Sequence, residues 1–397
     1  MHESAETTEE SFVRGYTGRI TIVLALGSLG VSIGRQMLPL VLPSIIDELS
    51  ITSAKAGMAL TVMWAAFAVS QYPAGRFADQ WSRTTIIVGG LATMVVGFGL
   101  LLVGLTYPLF VVSAGCIGIG AGLYIISTRT MLSDLFVERR GQAFGINTSA
   151  NMVGGAFASA VSVVILSAGV WEYGFLPVLV VLLSVSFLLH LWSQESYVVT
   201  SVTLELASST KRVFSRSRMR WLVVAYTMYM LTWQGVLSFL PTALRADKGF
   251  SPELAAVGFA IPFVVGIVVM PLAGKMSDGI ARLPITAGGL LLSAAGLTTI
   301  ILAPYPLVIL FGIMLFALGL LSFPPVMQAF LMDVFPDTNK GGDFGIFRTM
   351  YFGIGSLGPT YVGFVSEWFN YLVAFAGLVC CLLAGGAIIF WTHLTKG

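Results

Sequence analysis

GRFADQWSR at 75–83 and GKMSDGIAR at 274–282 are the two stretches whose reading decides the fold. Gly75, Asp79 and Arg83 of the first stand 199 residues before Gly274, Asp278 and Arg282 of the second (274−75, 278−79, 282−83). SDLFVERRGQAFGI and MDVFPDTNKGGDFGI repeat the offset, Asp134 and Phe136 being matched by Asp333 and Phe335. Short hydrophilic signatures recurring at one spacing within apolar sequence mark a chain built from two copies of one unit.

The surrounding composition says what that unit is made of. Of 397 residues 56% are hydrophobic and 10% charged, against about 25% charged in soluble domains, which excludes a soluble globule. About 20 apolar residues cross the hydrocarbon core as a helix, and twelve such stretches are predicted: 19–43, 54–78, 84–105, 108–132, 141–168, 171–192, 219–244, 251–275, 283–303, 306–332, 342–366 and 367–394. The expected fold class is an all-α membrane protein of two parallel six-helix repeats. A polar tail at 1–18 precedes a bundle at 19–192, a linker at 193–218 and a second bundle at 219–394. The linker carries the basic run from Lys211 to Arg220, expected on the anionic inner leaflet.

The first span is too long for a signal-peptide core and no small-residue cleavage pattern follows it, so the N-terminus is expected to stay cytoplasmic. Lys and Arg accumulate in cytoplasmic loops. On that topology 17 basic residues face the cytoplasm and three (Lys55, Arg245, Lys248) face outward, leaving Arg35 of the 21 inside the membrane. The net charge of +2 therefore belongs to a membrane face and gives no reason to expect nucleic acid. Cys116, Cys380 and Cys381 have neither metal-ligand nor disulfide spacing, and His2, His190 and His393 are far apart in sequence. No cofactor or metal is expected.

Several further motifs stand beside these: Asp-x-Phe ending spans four and ten, Trp171-Glu172-Tyr173-Gly174-Phe175 opening span six, and Phe239-Leu240-Pro241 with Gly249-Phe250-Ser251-Pro252 around span seven. With the loop signatures they make the chain resemble the major facilitator superfamily over nearly its whole length, a family of transporters that mostly act as monomers. The signature has a physical rationale, since Gly75 and Gly274 let helix ends approach and the following carboxylate can face a helix N-terminus. The resemblance implies gating relays of Asp79, Arg83 and Asp134, and of Asp278, Arg282 and Asp333. Gln80 and Ser82 depart from its usual basic residue and glycine.

Arg35 is the sharpest signal within a span. At about 1.5 Å per residue it lies on the order of 24 Å beyond Arg19, where a cation costs roughly 2.5–3.5 kcal/mol and should face water or a partner. Ser28, Ser32, Arg35 and Pro39 fall on one helical face. No Asp or Glu lies in the interior of a predicted span to neutralise it. The string GRQMLPLVLPSIIDELSIT resembles the first span of the superfamily's anion:cation symporter branch, which implies that this Arg meets the anionic group of a substrate. Two positions depart from that branch, Gly34 where an acid is expected and Ala114 where an Arg is expected. Exchange, facilitated diffusion and cotransport of a protonated substrate are therefore at least as reasonable as proton symport.

Arg348 in span eleven can hold a second anionic group, snorkel to the interface, or pair with Asp79. Arg129 reads as interfacial or gating, and its repeat counterpart is Gln328 (328−129 = 199). The resemblance's helix order completes the candidate pocket with Gln36, Gln71, Tyr72, Tyr124, Asn147, Asn151, Tyr226, Tyr229, Trp233, Gln234, Gln328 and Tyr351. Pro324-Pro325 and Gly358-Pro359 are expected to bend spans ten and eleven. The expectation is a multi-pass transporter of the cytoplasmic membrane that moves a small organic anion, a carboxylate or phosphate ester, by alternating access as a symporter or exchanger. A drug or metabolite exporter is the alternative, and a membrane receptor or enzyme a distant one, no nucleophile, metal cluster or acid pair being grouped for catalysis.

Overall fold

The computed structural model describes residues 11–104, 106–169, 171–198, 200, 217–279, 282–334 and 340–395. The side chains of Asp79, Glu172 and Asp278, together with Phe335 and the basic run up to Arg216, lie outside the described residues.

The first half contains α1 (Gly15–Leu49), α2 (Ser53–Gln80), α3 (Arg83–Val103), α4 (Tyr107–Leu135), α5 (Arg140–Ala168) and, after a 3-10 turn at Trp171–Phe175, α6 (Leu176–Trp192). The second contains α7 (Ser217–Ala246), α8 (Pro252–Gly279), α9 (Arg282–Leu302), α10 (Pro306–Val334), α11 (Lys340–Gly355), α12 (Gly358–Trp368) and α13 (Tyr371–Leu394). Helices satisfy their own backbone donors and acceptors, as a chain in lipid must. Their ends are closed by polar residues: Ser82 accepts from the Thr85 amide and Asn370 from that of Val373, while α1 and α5 end on left-handed Ser50 and Gly169.

Eleven described helices are long and apolar enough to span a membrane. The remaining expected span, 342–366, is divided into α11 and α12 by a break at Ser356–Leu357. Pro359 contributes no amide to the helical ladder. Gly358 is fixed by proximity, because a Cβ there would lie 2.2 Å from the Leu231 carbonyl oxygen of α7. The other expected bend is not a break, since α10 runs unbroken through Pro324 and Pro325. Span one reaches further than the apolar count suggested, from Gly15 to Leu49, because Pro39 and Pro43 are carried inside it and Asp47 and Glu48 occupy its last turn.

Packing repeats with the sequence. In the first half α4 lies against α2 and α3, α1 against α5 and α6, and α3 against α6. In the second, α10 lies against α8 and α9, α7 against α11, α12 and α13, and α9 against α13. Glycine permits the tightest of these contacts, a Cβ at Gly118 of α4 falling 2.1 Å from the Met63 carbonyl oxygen of α2. Between the halves, α2 meets α11 and α12, α5 meets α8, and α1 meets α7. Exchanging the halves maps this set of contacts onto itself, as an internal two-fold requires. Side chains such as Val69, Phe187 and Phe364 remain more than half exposed on the outside of the bundle, where acyl chains rather than water are the natural solvent.

Candidate functional site: a cation-lined central cavity

Where the halves meet, hydrogen bonds close the end of the bundle remote from the 80–83 turn. Ser53 shares one with Tyr371 at 2.7 Å, Thr61 one with Thr360 at 2.7 Å, and the Trp64 indole donates to Ser238 Oγ at 3.2 Å. Beneath this seal lies a cavity of about 220 Å³, walled by both halves. That is smaller than the roughly 300–1,000 Å³ of drug-sized sites, which favours a small cargo.

Arg35 enters the cavity from α1 and is only 6% exposed. Its guanidinium carbon stands 5.0 Å from the ring centres of both Trp64 and Phe67, one turn apart on α2. A cation over two desolvated aromatic faces gains about 0.5–2 kcal/mol from each, which holds the group without neutralising it. Its Nε has no hydrogen-bond partner among the described residues. Arg129 of α4 and Arg348 of α11 share the cavity, Arg348 lying 5.2 Å from the Phe352 ring. The Phe67 and Phe352 rings touch across the halves at 5.8 Å, so aromatic faces separate Arg35 from Arg348. Among the described residues no carboxylate is in the wall, and none pairs with these three arginines.

The rest of the wall is amide and aromatic. Asn147 of α5 lines it and donates to Ser28 Oγ of α1 at 2.6 Å, which ties the polar face of α1 to α5. Gln36, Asn151 and Gln328 add further amide groups, and Tyr226, Tyr229, Trp233 and Tyr351 form an aromatic wall in the second half. Tyr229 stacks on Phe323 at 4.2 Å, and Tyr226 meets Phe323, Phe347 and Tyr351. Such a wall offers donors for an anion and flat apolar faces for its carbon skeleton.

Four expected pocket residues stand outside the cavity wall. Tyr124 is fully buried with its hydroxyl donating to the Leu24 carbonyl at 2.6 Å, so it tethers α4 to α1. Tyr72 packs toward Gly345 of α11. Gln71 and Gln234 are buried, and their amide atoms have no partner among the described residues. Gln234 occupies the repeat position of Arg35 (234−35 = 199), so this duplicated position carries a charge in the first half only. Arg129, expected at the interface or the gate, instead lines the cavity. Arg348 lines the cavity, and its pairing with Asp79 lies outside the described residues.

Trp64 and Phe67 were missed by sequence reasoning, although Trp64 and the cavity residue Phe263 are repeat counterparts (263−64 = 199). At the opposite end of the helices Arg83 pairs with Asp134 at 2.9 Å and Arg282 pairs with Asp333. Both acids are more than half exposed, and such pairs contribute about 0–1 kcal/mol. Gly75 and Gly274 meet no backbone within van der Waals range, the nearest atoms to an added Cβ being side-chain carbons at 3.9 Å.

Two helical halves related by an internal two-fold around a central cavity are an arrangement with known relatives. The sequence profile of the Major Facilitator Superfamily matches residues 24–284 and, a second time, 222–396. The chain belongs to the Major Facilitator Superfamily. That is a superfamily of transporters, not enzymes. Within it the chain is 27% identical over 279 residues to the probable sulfoacetate transporter SauU of Cupriavidus necator, covering 63% of this chain and 62% of that protein. The chain thus aligns with less than two thirds of that relative's length. It is 20% identical to the hexuronate transporter of Bacillus subtilis, over 94% of this chain and 92% of the relative. It is 25% identical to the glycerol-3-phosphate transporter of Bacillus subtilis, over 64% of each. Among solved structures, a bacterial homolog of the human lysosomal transporter Spinster superimposes with a TM-score of 0.82 at 17% identity, over 96% of this chain and 98% of that one. The D-xylose-proton symporter does so at 0.74 and 17%, over 95% and 98%. These superfamily structures share the fold.

Proposed function

We propose that this protein transports a small organic anion across the cytoplasmic membrane by alternating access, working as a monomer with both termini in the cytoplasm. The observation that carries the reading is Arg35, a buried cation at mid-helix with no carboxylate partner among the described residues, facing a cavity that holds two further arginines. A permanent positive charge is retained at membrane depth where it meets a negative one in function. Relatives named for sulfoacetate, hexuronate and glycerol 3-phosphate transport, all small organic anions, support the same cargo class.

In this reading Arg35 holds the anionic head, with Arg129 and Arg348 receiving a second charged or polar group. Gln36, Asn147, Asn151, Gln328 and Tyr351 donate to oxygens, and Tyr229 and Trp233 pack on the carbon skeleton. The bundles at 19–192 and 219–394 rock about the cavity. Gly75, Asp79, Arg83 and Asp134, with Gly274, Asp278, Arg282 and Asp333, latch the cytoplasmic side when it closes. Lipophilic cations, the usual cargo of a drug exporter, are disfavoured by three guanidinium groups that have no carboxylate partner among the described residues.

A thermal-shift screen of detergent-solubilised protein tests the cargo class, because a ligand that binds only the folded state raises the melting temperature. Mono- and dicarboxylates, sugar acids, phosphate esters and sulfonates form the panel, with tetraphenylphosphonium as the cationic control. Stabilisation by one anion class is expected. Stabilisation by the cation and by no anion overturns the proposal.

A further inference from the structure

Trp64 belongs both to the seal and to the cavity. Its indole, 2% exposed, lines the cavity and carries the Arg35 guanidinium over its ring, while its N–H crosses to the second half and donates to Ser238 Oγ of α7 at 3.2 Å. Ser238 itself is fully buried and stands outside the cavity wall. Aromatic faces attract a cation without supplying an acceptor atom, so they fix Arg35 and leave its N–H donors for an anion. The indole N–H, by contrast, is a single donor that needs its acceptor when buried.

The two repeats differ at these positions together. The counterparts of Arg35, Trp64 and Ser238 are Gln234, Phe263 and Pro39 (234−35, 263−64 and 238−39, each 199). The cation, the indole donor and its acceptor therefore all fall on one side of the internal two-fold. The other side has an amide, a ring without an N–H and a proline without a hydroxyl. That coincidence ties the hydrogen bond to the charge rather than to the general holding of one half against the other.

Opening the seal carries Ser238 away with α7. The indole donor then lacks its partner, and a buried donor left unsatisfied shifts an equilibrium by roughly 5- to 150-fold. Trp64 turns to find water, and its ring leaves the guanidinium. Phe67, the other ring over Arg35, meets Phe352 of the second half at 5.8 Å and loses that support in the same movement. We infer that Trp64 is a positioning residue through which the seal sets the affinity of the anion site: with the seal shut Arg35 is held in place and binds its anion tightly, and with the seal open the hold is released and the affinity falls. This rests on the organic-anion reading above and adds to it a difference in affinity between the two faces of the membrane. By reciprocity, a bound anion favours the shut seal.

The test is calorimetric titration of the detergent-solubilised full-length protein with sulfoacetate, glucuronate and glycerol 3-phosphate, in the parent, Ser238→Ala, Trp64→Phe and the double variant. Ser238→Ala, outside the cavity wall, is expected to weaken the Kd of the probe that binds by about threefold or more. Trp64→Phe, which keeps a ring for Arg35 but has no N–H, is expected to do the same. Ser238→Ala added to Trp64→Phe is expected to change nothing further. Hydrogen exchange at the sealed ends of α2 and α7 is expected to be faster in both single variants, and slower in the parent once the anion is added. A bond that merely holds helices together lowers the melting temperature and leaves Kd alone. Parental Kd in either single variant, or an undiminished effect of Ser238→Ala beside Trp64→Phe, overturns the coupling and leaves the anion reading standing. Binding of no probe by the parent overturns the anion reading and the inference with it.

Discussion

Replacing Arg35 by glutamine, the residue its repeat counterpart carries, separates a binding cation from a structural one. Losing one partner of a buried, hydrogen-bonded charge pair costs about 2–5 kcal/mol of binding, and at about 1.4 kcal/mol per tenfold that is roughly a 30- to 4,000-fold weaker Kd. The empty protein responds differently. It is relieved of roughly 2.5–3.5 kcal/mol of cation burial on the insertion scale and forfeits about 0.5–2 kcal/mol for each of the two rings, Trp64 and Phe67, that flank the guanidinium. The two nearly cancel. The melting temperature of ligand-free Arg35→Gln is therefore expected to stay within a few degrees of the parent, while calorimetric titration with the stabilising anion shows the loss of affinity. A variant that melts far lower yet binds the anion with parental affinity would refute the reasoning, because Arg35 would then be holding helices together rather than cargo.

The remaining predictions concern the scaffold. With Cys116, Cys380 and Cys381 replaced, Thr61→Cys combined with Thr360→Cys places two thiols where hydroxyl oxygens now stand 2.7 Å apart, a gap that has only to close to the roughly 2.05 Å of a sulfur–sulfur bond. Oxidation is expected to stop transport and reductant to restore it, and full transport by the cross-linked protein would contradict alternating closure at this end. Gly358→Ala sets a methyl against backbone atoms of α7 at 2.2 and 2.8 Å and is expected to cost about 1–3 kcal/mol. Gly353→Ala, with nothing within 4 Å, is the control that keeps the parental melting temperature. Lys248 donates to the Ile301 and Ala303 carbonyls at 2.7 and 2.9 Å at the end of α9. Lys248→Ala is expected to cost about 1–2 kcal/mol of stability with transport retained, as read by thermal melting and vesicle uptake.

The duplication was legible because a 199-residue offset needs only residue identities. Helix positions followed from apolar run length, which in lipid leaves the backbone almost no alternative. Helix ends were less legible. Apolar counting stopped at residue 43, whereas α1 continues to Leu49, because a polar last turn emerging from the membrane stays helical. The division of span eleven was half readable: Gly358-Pro359 announced it, but the cause of the close approach, the Leu231 carbonyl, comes from another helix.

Within the cavity, charge was readable and side-chain direction was not. Arg35 stood out because a cation at membrane depth demands a partner. Tyr124 gave the same signal as Tyr229, yet one bonds to the α1 backbone and the other lines the cavity. The angle at which each helix is rolled about its axis decides this, and tertiary packing sets that roll. Arg129 was drawn toward the gate by its nearness in sequence to the end of α4, about 9 Å along the helix at 1.5 Å per residue. That distance leaves a long side chain ample reach into the cavity.

The central claim, that the buried Arg35 guanidinium on α1 receives an anionic cargo, is tested most directly by uptake into liposomes carrying equal amounts of parent or Arg35→Ala protein. Vesicles are preloaded with the anion that stabilises the parent best. The parent should accumulate that labelled anion and Arg35→Ala should fall to the level of protein-free vesicles; matching uptake by the two would contradict the account.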